Sequence, residues 1–187
     1  MRRLVPTVAL TLALSACGGV EQTAQPPTSQ PAPVPSSAPP APSCSVLPTL
    51  VPATGQLSTD LSVKPAVAPQ PGAPPTDVTV TDVVVGDGEE AAAGDTVAVK
   101  YVGAIFSTGR EFDSSWSRGA EETIDFGLCQ PGVVAGFAIG PIGMKLGGRR
   151  SITIPPRFGY GATGQPMAGI GPTDTLVFVV DLVRIDA

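Results

Sequence analysis

The sequence predicts an α+β fold over residues 76–187, in which an antiparallel sheet packs one short helix on one face, preceded by a disordered Pro-rich linker. Three observations predict this fold. Most segments beyond residue 76 alternate apolar and polar residues, as strands do. Only one stretch, late in the chain, has the composition of a helix. Fifteen of the 22 prolines lie between residues 26 and 75, so the front of the chain differs in kind from the back.

The predicted strands alternate and end at turn residues. The first lies in 76–88, where TDVTVTDVVV is followed by Gly-Asp-Gly, which marks a turn. The second follows a turn at Gly94 and Asp95, and a hairpin around Gly109 leads to a short third strand. Three further alternating runs complete the predicted sheet: 122–128, 149–154 and 173–187.

The helix is predicted within 133–144, VVAGFAIGPIGM. Gly136 and Pro141 limit it to roughly two turns, because glycine weakens a helix interior and proline ends a helix. Since the helix is short and stands alone, we expect it to be covered by the sheet.

Composition excludes several classes of function. The chain contains no histidine, which rules out histidine triads, histidine bases and histidine metal ligands. The net charge is −5, and the largest basic cluster is the pair Arg149 and Arg150, so nucleic acid is not expected as a partner. Any catalysis must use carboxylates, a hydroxyl, a thiol or no proton transfer. We expect neither a metal ion nor a cofactor.

The first residues have the layout of an export signal. Two arginines precede an apolar run from Leu4 to Leu14, which is too short for a permanent membrane span. The ending LSAC resembles the lipobox of bacterial lipoproteins, in which the signal is cut before a diacylated cysteine. That resemblance implies a signal peptide over 1–16, lipidation of Cys17 and attachment to the extracytoplasmic side of the cell membrane. The alternative is an ordinary cleaved signal with an incidental cysteine.

Two segments separate this signal from the predicted domain. Residues 17–43 have almost no apolar bulk and are predicted to be a disordered Pro-rich spacer. Residues 44–75 carry apolar residues that a spacer does not need, so we expect part of this segment to pack on the domain. If Cys17 is lipidated, Cys44 and Cys129 remain, and export favours a disulfide between them. The alternative is that both thiols stay reduced and buried.

Several motifs together resemble the FKBP-type peptidyl-prolyl cis–trans isomerases. They are TVAVKYVG (96–103), TGREFDSSW (108–116), VVAGFAIGPIGMKLGGRRSITIPPRFGYGATG (133–164) and TLVFVVDLVRID (175–186). The resemblance spans about 76–187 and implies a half-wrapped antiparallel sheet around the short helix. It also implies isomerase activity on proline-containing polypeptides, with an apolar pocket for proline and a macrolide inhibitor as a further ligand.

The same resemblance implies the residues of the site. The positions expected to act on the substrate are Tyr160, Asp113, Tyr101 and Phe112. The positions expected to line the pocket are Phe126, Val133, Val134, Phe137, Ile170 and Phe178. Phe137 stands where the family commonly has tryptophan, and Ile124 replaces an aromatic residue at the pocket rim. The implied role of Tyr160 is to donate a hydrogen bond to a substrate carbonyl.

Two residues of the expected site allow another interpretation. Without the resemblance, Asp113 is expected to be a turn or cap residue, and Arg118 lies in a loop that looks exposed.

The sequence also leaves two alternative functions open. A second function is a module that binds one proline-containing segment, with weak or vestigial activity. A third is a domain whose own linker prolines occupy its pocket. Nothing in the sequence predicts a dimer interface, so we expect a monomer.

Overall fold

The computed structural model describes Ser45, 47–52 and 57–186. The predicted signal peptide (1–16), the Pro-rich linker (17–43), the lipidation site Cys17 and the predicted disulfide partner Cys44 lie outside the described residues. Within the part of the chain that is described, no helix is long and apolar enough to cross a membrane.

A seven-stranded sheet forms the body of the protein. Its strands are β1 (Thr49–Leu50), β2 (Thr79–Val84), β3 (Thr96–Ile105), β4 (Glu111–Ser114), β5 (Ile124–Gly127), β6 (Arg149–Ile154) and β7 (Leu176–Asp186). The order across the sheet is β1-β2-β6-β7-β3-β4, and β5 also pairs with β3. Because β7 pairs with the whole of β3 on one side, β4 and β5 share its other edge. The predicted strands beyond residue 76 are confirmed.

One strand pair differs from the prediction of a purely antiparallel sheet. Strand β1 pairs with β2 in parallel, with Thr49 opposite Thr79 and Leu50 opposite Val80, so the sheet is mixed. A parallel pair needs a long connection, and residues 51–78 provide it. Every other pair in the described sheet is antiparallel.

The helix α1 (Ala135–Ile139) is shorter than the predicted two turns. Gly136 lies inside it, and a Cβ added there would come within 2.5 Å of the Ile154 side chain. Gly140, which follows the helix, lies equally close to Ile152. The two glycines therefore let the helix approach the sheet closely, and Ile152 and Ile154 are fully buried beneath it. Burial of each such side chain contributes about 1.5–3 kcal/mol.

Residues 57–70, which we call the strap, lie on the domain and are held by a buried arginine. The Arg149 side chain is 0% exposed and forms a bidentate ion pair with Asp181, at 2.5 and 2.7 Å. Its guanidinium also donates to the carbonyls of Ser58, Asp60 and Val63, at 2.7, 3.1 and 3.1 Å. The folded unit therefore extends to the N-terminal side of residue 76.

Arg150, the next residue of β6, projects to the other side of the sheet, as alternate residues of a strand do. It pairs with Asp82 at 2.6 Å and donates to the carbonyls of Gly140 and Ile142, which follow α1. The two arginines that are adjacent in sequence thus fix two different segments, the strap and the end of the helix.

Candidate active site

The site is built around Gly103, near the C-terminal end of β3. This residue pairs with Phe178 of β7 on one side and with Asp113 of β4 on the other. A Cβ at Gly103 would come within 2.7 Å of the Phe112 ring and 2.9 Å of the Phe178 ring. The absence of a side chain here therefore lets two aromatic rings meet over the strand.

Five aromatic rings from four strands and the helix form one cluster. Phe137 of α1 is its centre, with ring centroids 4.7 Å from Phe178, 4.8 Å from Phe126 and 5.8 Å from Tyr101. Phe112 meets Phe178 edge to face at 5.5 Å. Contacts of this kind contribute about 0.5–1.5 kcal/mol each beyond area burial. Since phenylalanine has no N–H, the Phe137 ring gives the cluster a purely apolar floor.

Several residues that the sequence analysis expects at the site or its rim are partly buried and pack against the hydrophobic core. Their surfaces keep some contact with solvent, so an apolar ligand has surface to cover. These residues are Phe112, Ile124, Val133, Val134 and Tyr160. Ile170 packs in the same cluster and is only 2% exposed. Contacts between the rings bring together Tyr101, Phe112, Phe126, Phe137 and Phe178, and Asp113 meets the Tyr101 hydroxyl. The other four residues assigned by the resemblance pack with the wider core, and their place in one pocket stays a prediction: Val133, Val134, Tyr160 and Ile170.

A hydrogen-bonded network of three side chains borders the aromatic floor. The Tyr101 hydroxyl donates to Asp113 Oδ2 and accepts from Arg118 at 3.3 Å. Arg118 also pairs with Asp113 Oδ1 at 3.3 Å, and its guanidinium lies over the Tyr101 ring. Burial and the hydrogen bond to Asp113 raise the pKa of Tyr101. The carboxylate therefore stands at the edge of the cluster, balanced by one cation and one hydroxyl.

Arg118 belongs to this network although the sequence placed it only in an exposed loop. A short 3₁₀ turn at Ser115–Ser117, capped by Ser114, folds residue 118 back toward Asp113. The cap was the one available signal, because serine at that position favours a turn of this type. The partner of the arginine could not be read from the spacing.

Two buried serines fix the backbone beside the network. Ser115 Oγ accepts from the Tyr101 amide at 3.0 Å, and Ser114 Oγ donates to the Tyr101 carbonyl at 3.2 Å. Asp113 Oδ1 in turn accepts from the Ser114 amide at 2.8 Å. One oxygen of Asp113 therefore caps the local turn, as its position in the sequence predicts, and the other meets the Tyr101 hydroxyl. Its action on a substrate stays a prediction.

Tyr160 stands on the loop that follows β6. Positive φ angles at Gly161 (+59°) and Gly164 (+64°) turn the chain there, and mutual hydrogen bonds between Gln165 and Ile170 close the loop. Burial and the nearby charge of Asp113 raise the pKa of Tyr160. Within 57–186 the Tyr160 hydroxyl has no hydrogen-bond partner, unlike that of Tyr101. It is therefore available to a ligand.

Cys129 lies beside this site, in the turn between β5 and α1. It is partly buried against the apolar core and is disulfide-bonded. Because Cys44 lies outside the described residues, its pairing with Cys129 stays a prediction.

A separate groove of about 440 Å³ lies at the β1–β2 edge of the sheet. Leu50, Val80 and Ile142 are among the residues that line it. None of the predicted site residues borders this groove, so its volume is not evidence for the aromatic site.

The raised tyrosine pKa values predict a loss of stability at alkaline pH. Both values lie above the usual 10.0 in the folded protein, so the unfolded chain releases these protons first as the pH rises. The stabilisation is therefore complete below about pH 10 and is lost as the pH rises through the folded values. The free energy of unfolding in urea should fall over this window, and less steeply in Tyr160→Phe. If the free energy of unfolding fell equally steeply with pH in the wild type and in Tyr160→Phe, the prediction would be wrong. Because the chain has only two tyrosines, any difference can be assigned to Tyr160.

The fold and the site define a class of protein. In it, a sheet and a short helix together form an aromatic cluster, and a tyrosine hydroxyl, here that of Tyr160, is available to a ligand. A family model described as FKBP-type peptidyl-prolyl cis-trans isomerase matches residues 87–183. The chain belongs to the FKBP-type peptidyl-prolyl cis–trans isomerase family, and the predicted enzyme class is confirmed.

Two similar bacterial proteins each match a little over half of the chain. An FK506-binding protein of Streptomyces anulatus is 48% identical over 104 residues, which are 56% of this chain and 82% of that protein. A probable FK506-binding protein of Corynebacterium glutamicum is 50% identical over 105 residues, 55% of this chain and 82% of that one. Both alignments therefore leave over two fifths of the chain unmatched.

Solved structures agree on the fold. The crystal structure of FkpA from Escherichia coli is 40% identical with a TM-score of 0.52, and the match covers 59% of this chain and 49% of FkpA. The crystal structure of AtFKBP13 is 32% identical with the same TM-score of 0.52, covering 61% of this chain and 96% of that one. The predicted FKBP-like fold is thereby confirmed.

Proposed function

We propose that this protein isomerises X–Pro bonds in polypeptides that fold outside the cytoplasm, with the proline ring against the aromatic cluster. One observation carries the assignment of the site: the Tyr160 hydroxyl, which has no hydrogen-bond partner within 57–186, lies close enough to Asp113 to feel its charge, and Asp113 is hydrogen-bonded to Tyr101 of the aromatic cluster. A proline ring needs the apolar surface, and its neighbouring carbonyl needs a donor.

The chemistry suits a site without a proton-transfer base. Rotation about the bond faces a barrier of about 18–20 kcal/mol that comes from amide resonance. No bond breaks and no proton moves, so the enzyme has only to favour the twisted amide over the planar one. The twisted amide is less polar than the planar form, because its nitrogen has lost conjugation. An apolar surface therefore disfavours the planar form relative to the twisted one.

Each polar residue has a separate task in this proposal. Tyr160 donates to a substrate carbonyl and so orients the bond that rotates. Asp113 sets the potential at the edge of the site, and Tyr101 and Arg118 hold its carboxylate in place through the hydrogen bonds described above. A tyrosine with its usual pKa of about 10 is already protonated at neutral pH, and burial and Asp113 raise the pKa of Tyr160 further, so Tyr160 remains a donor.

The site also suits the ligand named in its relatives. Two similar bacterial proteins carry the name FK506-binding protein. We extend that ligand class to this chain, with FK506 held on the same aromatic cluster. Phenylalanine at position 137 covers less area than the tryptophan common in the family, and it donates no hydrogen bond. We therefore expect FK506 to bind this chain more weakly than a family member with tryptophan there.

Two features support a location outside the cytoplasm. The N-terminal sequence has the layout of an export signal ending in a lipobox-like LSAC, with Cys17 as the lipid attachment site. The disulfide at Cys129 favours an oxidising compartment, since disulfides are rare in reducing ones. Two acyl chains on Cys17 would hold the protein at the membrane.

Fractionation of cells that express the chain tests activity and location together. We expect the membrane fraction to accelerate a refolding reaction limited by proline isomerisation, which takes tens of seconds or more without a catalyst. Cys17→Ser should move this activity to the soluble fraction, whereas the matched control Cys44→Ser should leave it with the membrane. Activity that stays membrane-bound in Cys17→Ser would refute the anchor, and no acceleration in any fraction would refute the folding role.

A further inference from the structure

The strand that carries two site residues is weakly supported by the sheet. Strand β4 has four residues and lies at the edge, paired only with β3 among the described strands. The pairing includes an irregularity between Gly103 and Ala104. Phe112 and Asp113 both lie on this short strand, so the position of one side of the site depends on whatever else holds the β3–β4 hairpin.

The strap provides a second support at that hairpin. The Gln70 amide donates to the Phe106 carbonyl at 2.9 Å. Lys64 pairs with Glu111, the first residue of β4, at 2.8 Å. At the hairpin turn, Gly109 has a φ of +67°, and a Cβ there would come within 2.7 Å of the Val67 carbonyl oxygen. The strap and the turn are therefore in close contact.

The other end of the strap is fixed to the middle of the sheet. Arg149 binds the carbonyls of Ser58, Asp60 and Val63, and Asp181 of the neighbouring strand holds its guanidinium. Since Arg149 is fully buried, this end is anchored more firmly than an exposed ion pair would anchor it. The strap thus connects β6 and β7 to the hairpin.

The β3–β4 hairpin also contacts the loop that follows Tyr160. Arg110, next to Gly109, donates to the carbonyl of Gly169 at 2.5 Å. Gly169 packs against the same guanidinium, where a Cβ would come within 3.0 Å of it. The loop held in this way contains Ile170 and begins just after Tyr160.

From these contacts we infer that the strap is a positioning element of the isomerase site. The strap lies before residues 87–183, which match the family. It contacts β4 directly through Lys64 and Glu111, and it contacts the Tyr160 loop indirectly through the hairpin that carries Arg110. Its contacts keep Phe112 and Asp113 on one side, and Tyr160 and Ile170 on the other, at a fixed separation. The inference rests on the proposed function, because it concerns the same site.

A charge exchange tests the brace in the full chain. Lys64→Glu places two carboxylates together, and we expect kcat/KM for a proline peptide to fall about two- to fivefold. The double variant Lys64→Glu with Glu111→Lys restores the opposite charges and should regain most of the wild-type value. This rescue separates the contact from any general damage that either exchange causes.

Gly109→Ala is the stronger variant, because its new methyl group meets the strap. We expect kcat/KM to fall about tenfold, mainly through a higher KM, since a displaced Phe112 weakens binding of substrate and transition state alike. Amide hydrogen exchange should quicken in 64–70, 106–114 and 165–170. Gly94→Ala is the control: Gly94 also has a positive φ, +101°, but no atom lies within 4 Å of its Cβ position.

The outcomes are distinct. If the strap loosens by hydrogen exchange in Gly109→Ala while kcat and KM stay at wild-type values, the strap does not position the site. If exchange in 64–70 is unchanged in both the Lys64→Glu and Gly109→Ala variants, these contacts do not hold the strap, and the inference is equally overturned. A wild-type protein that fails to isomerise the peptide would overturn the proposed function instead.

Discussion

Arg149→Met should destabilise the protein by about 3–5 kcal/mol, because it leaves the buried carboxylate of Asp181 without its cation. Methionine keeps much of the volume but donates no hydrogen bond. The carbonyls of Ser58, Asp60 and Val63 would lose their partner in the same step. The free energy of unfolding from urea titrations of the full chain measures the effect.

The matched control is Arg184→Met. The Arg184 side chain is 52% exposed and pairs with Asp125 and Asp186 at the surface. Such pairs contribute only about 0–1 kcal/mol, so its loss should be small. A comparable loss of stability in the two variants would show that Arg149 has no special place in the fold.

A double exchange separates the two tasks of Arg149. Arg149→Met with Asp181→Leu replaces the whole ion pair by apolar groups, which is often close to neutral. We expect this variant to recover part of the stability lost in Arg149→Met. It should not recover the strap, whose carbonyls still lack a donor, so hydrogen exchange in 57–70 should remain fast.

Asp113→Ala combined with Tyr160→Phe should lower kcat/KM for a proline peptide by about 100-fold. Tyr160→Phe removes the proposed donor and keeps the ring against the apolar cluster. Asp113→Ala removes the acceptor of the Tyr101 hydroxyl and the partner of Arg118. Each change should remove about 1.4 kcal/mol of transition-state stabilisation, which is close to the net worth of a well-placed hydrogen bond. Since about 1.4 kcal/mol corresponds to a tenfold change in rate, the two changes together give the 100-fold fall in kcat/KM.

Asp125→Ala is the control for this experiment. Asp125 lies on β5 next to Phe126, but its carboxylate is directed to the surface, where it meets Arg184. Its replacement should leave kcat/KM within about twofold of the wild-type value. Equal rates for the double variant and the wild type would remove Tyr160 and Asp113 from the mechanism.

The parts of the fold that the sequence predicted well are those governed by a regular pattern. Alternation of apolar and polar residues marks the strands beyond residue 76, because each lies with one face on the core. The aromatic positions of the site followed from the family resemblance and not from spacing. Phe112, Phe126 and Phe178 lie on three different strands, and only the pairing of those strands brings them together.

The parts that could not be predicted depend on contacts between distant segments. Arg149 and Arg150 look in sequence like a small basic patch, yet both are buried and paired. Their partners Asp181 and Asp82 are set by strand register, which no local pattern reveals. Strand β1 has two residues and exists only because β2 offers it an edge. Arg118 joins the site through a tertiary contact, with only a serine cap as a hint.

The anchoring of the strap has an evolutionary consequence. All three groups that it offers to Arg149 are main-chain carbonyls, which every residue type carries. Mutational drift can therefore rewrite side chains at those positions while the anchor persists, as long as the path of the backbone is kept. Selection should act most strongly on the arginine itself, so the constraint lies in β6 and not in the segment that β6 holds.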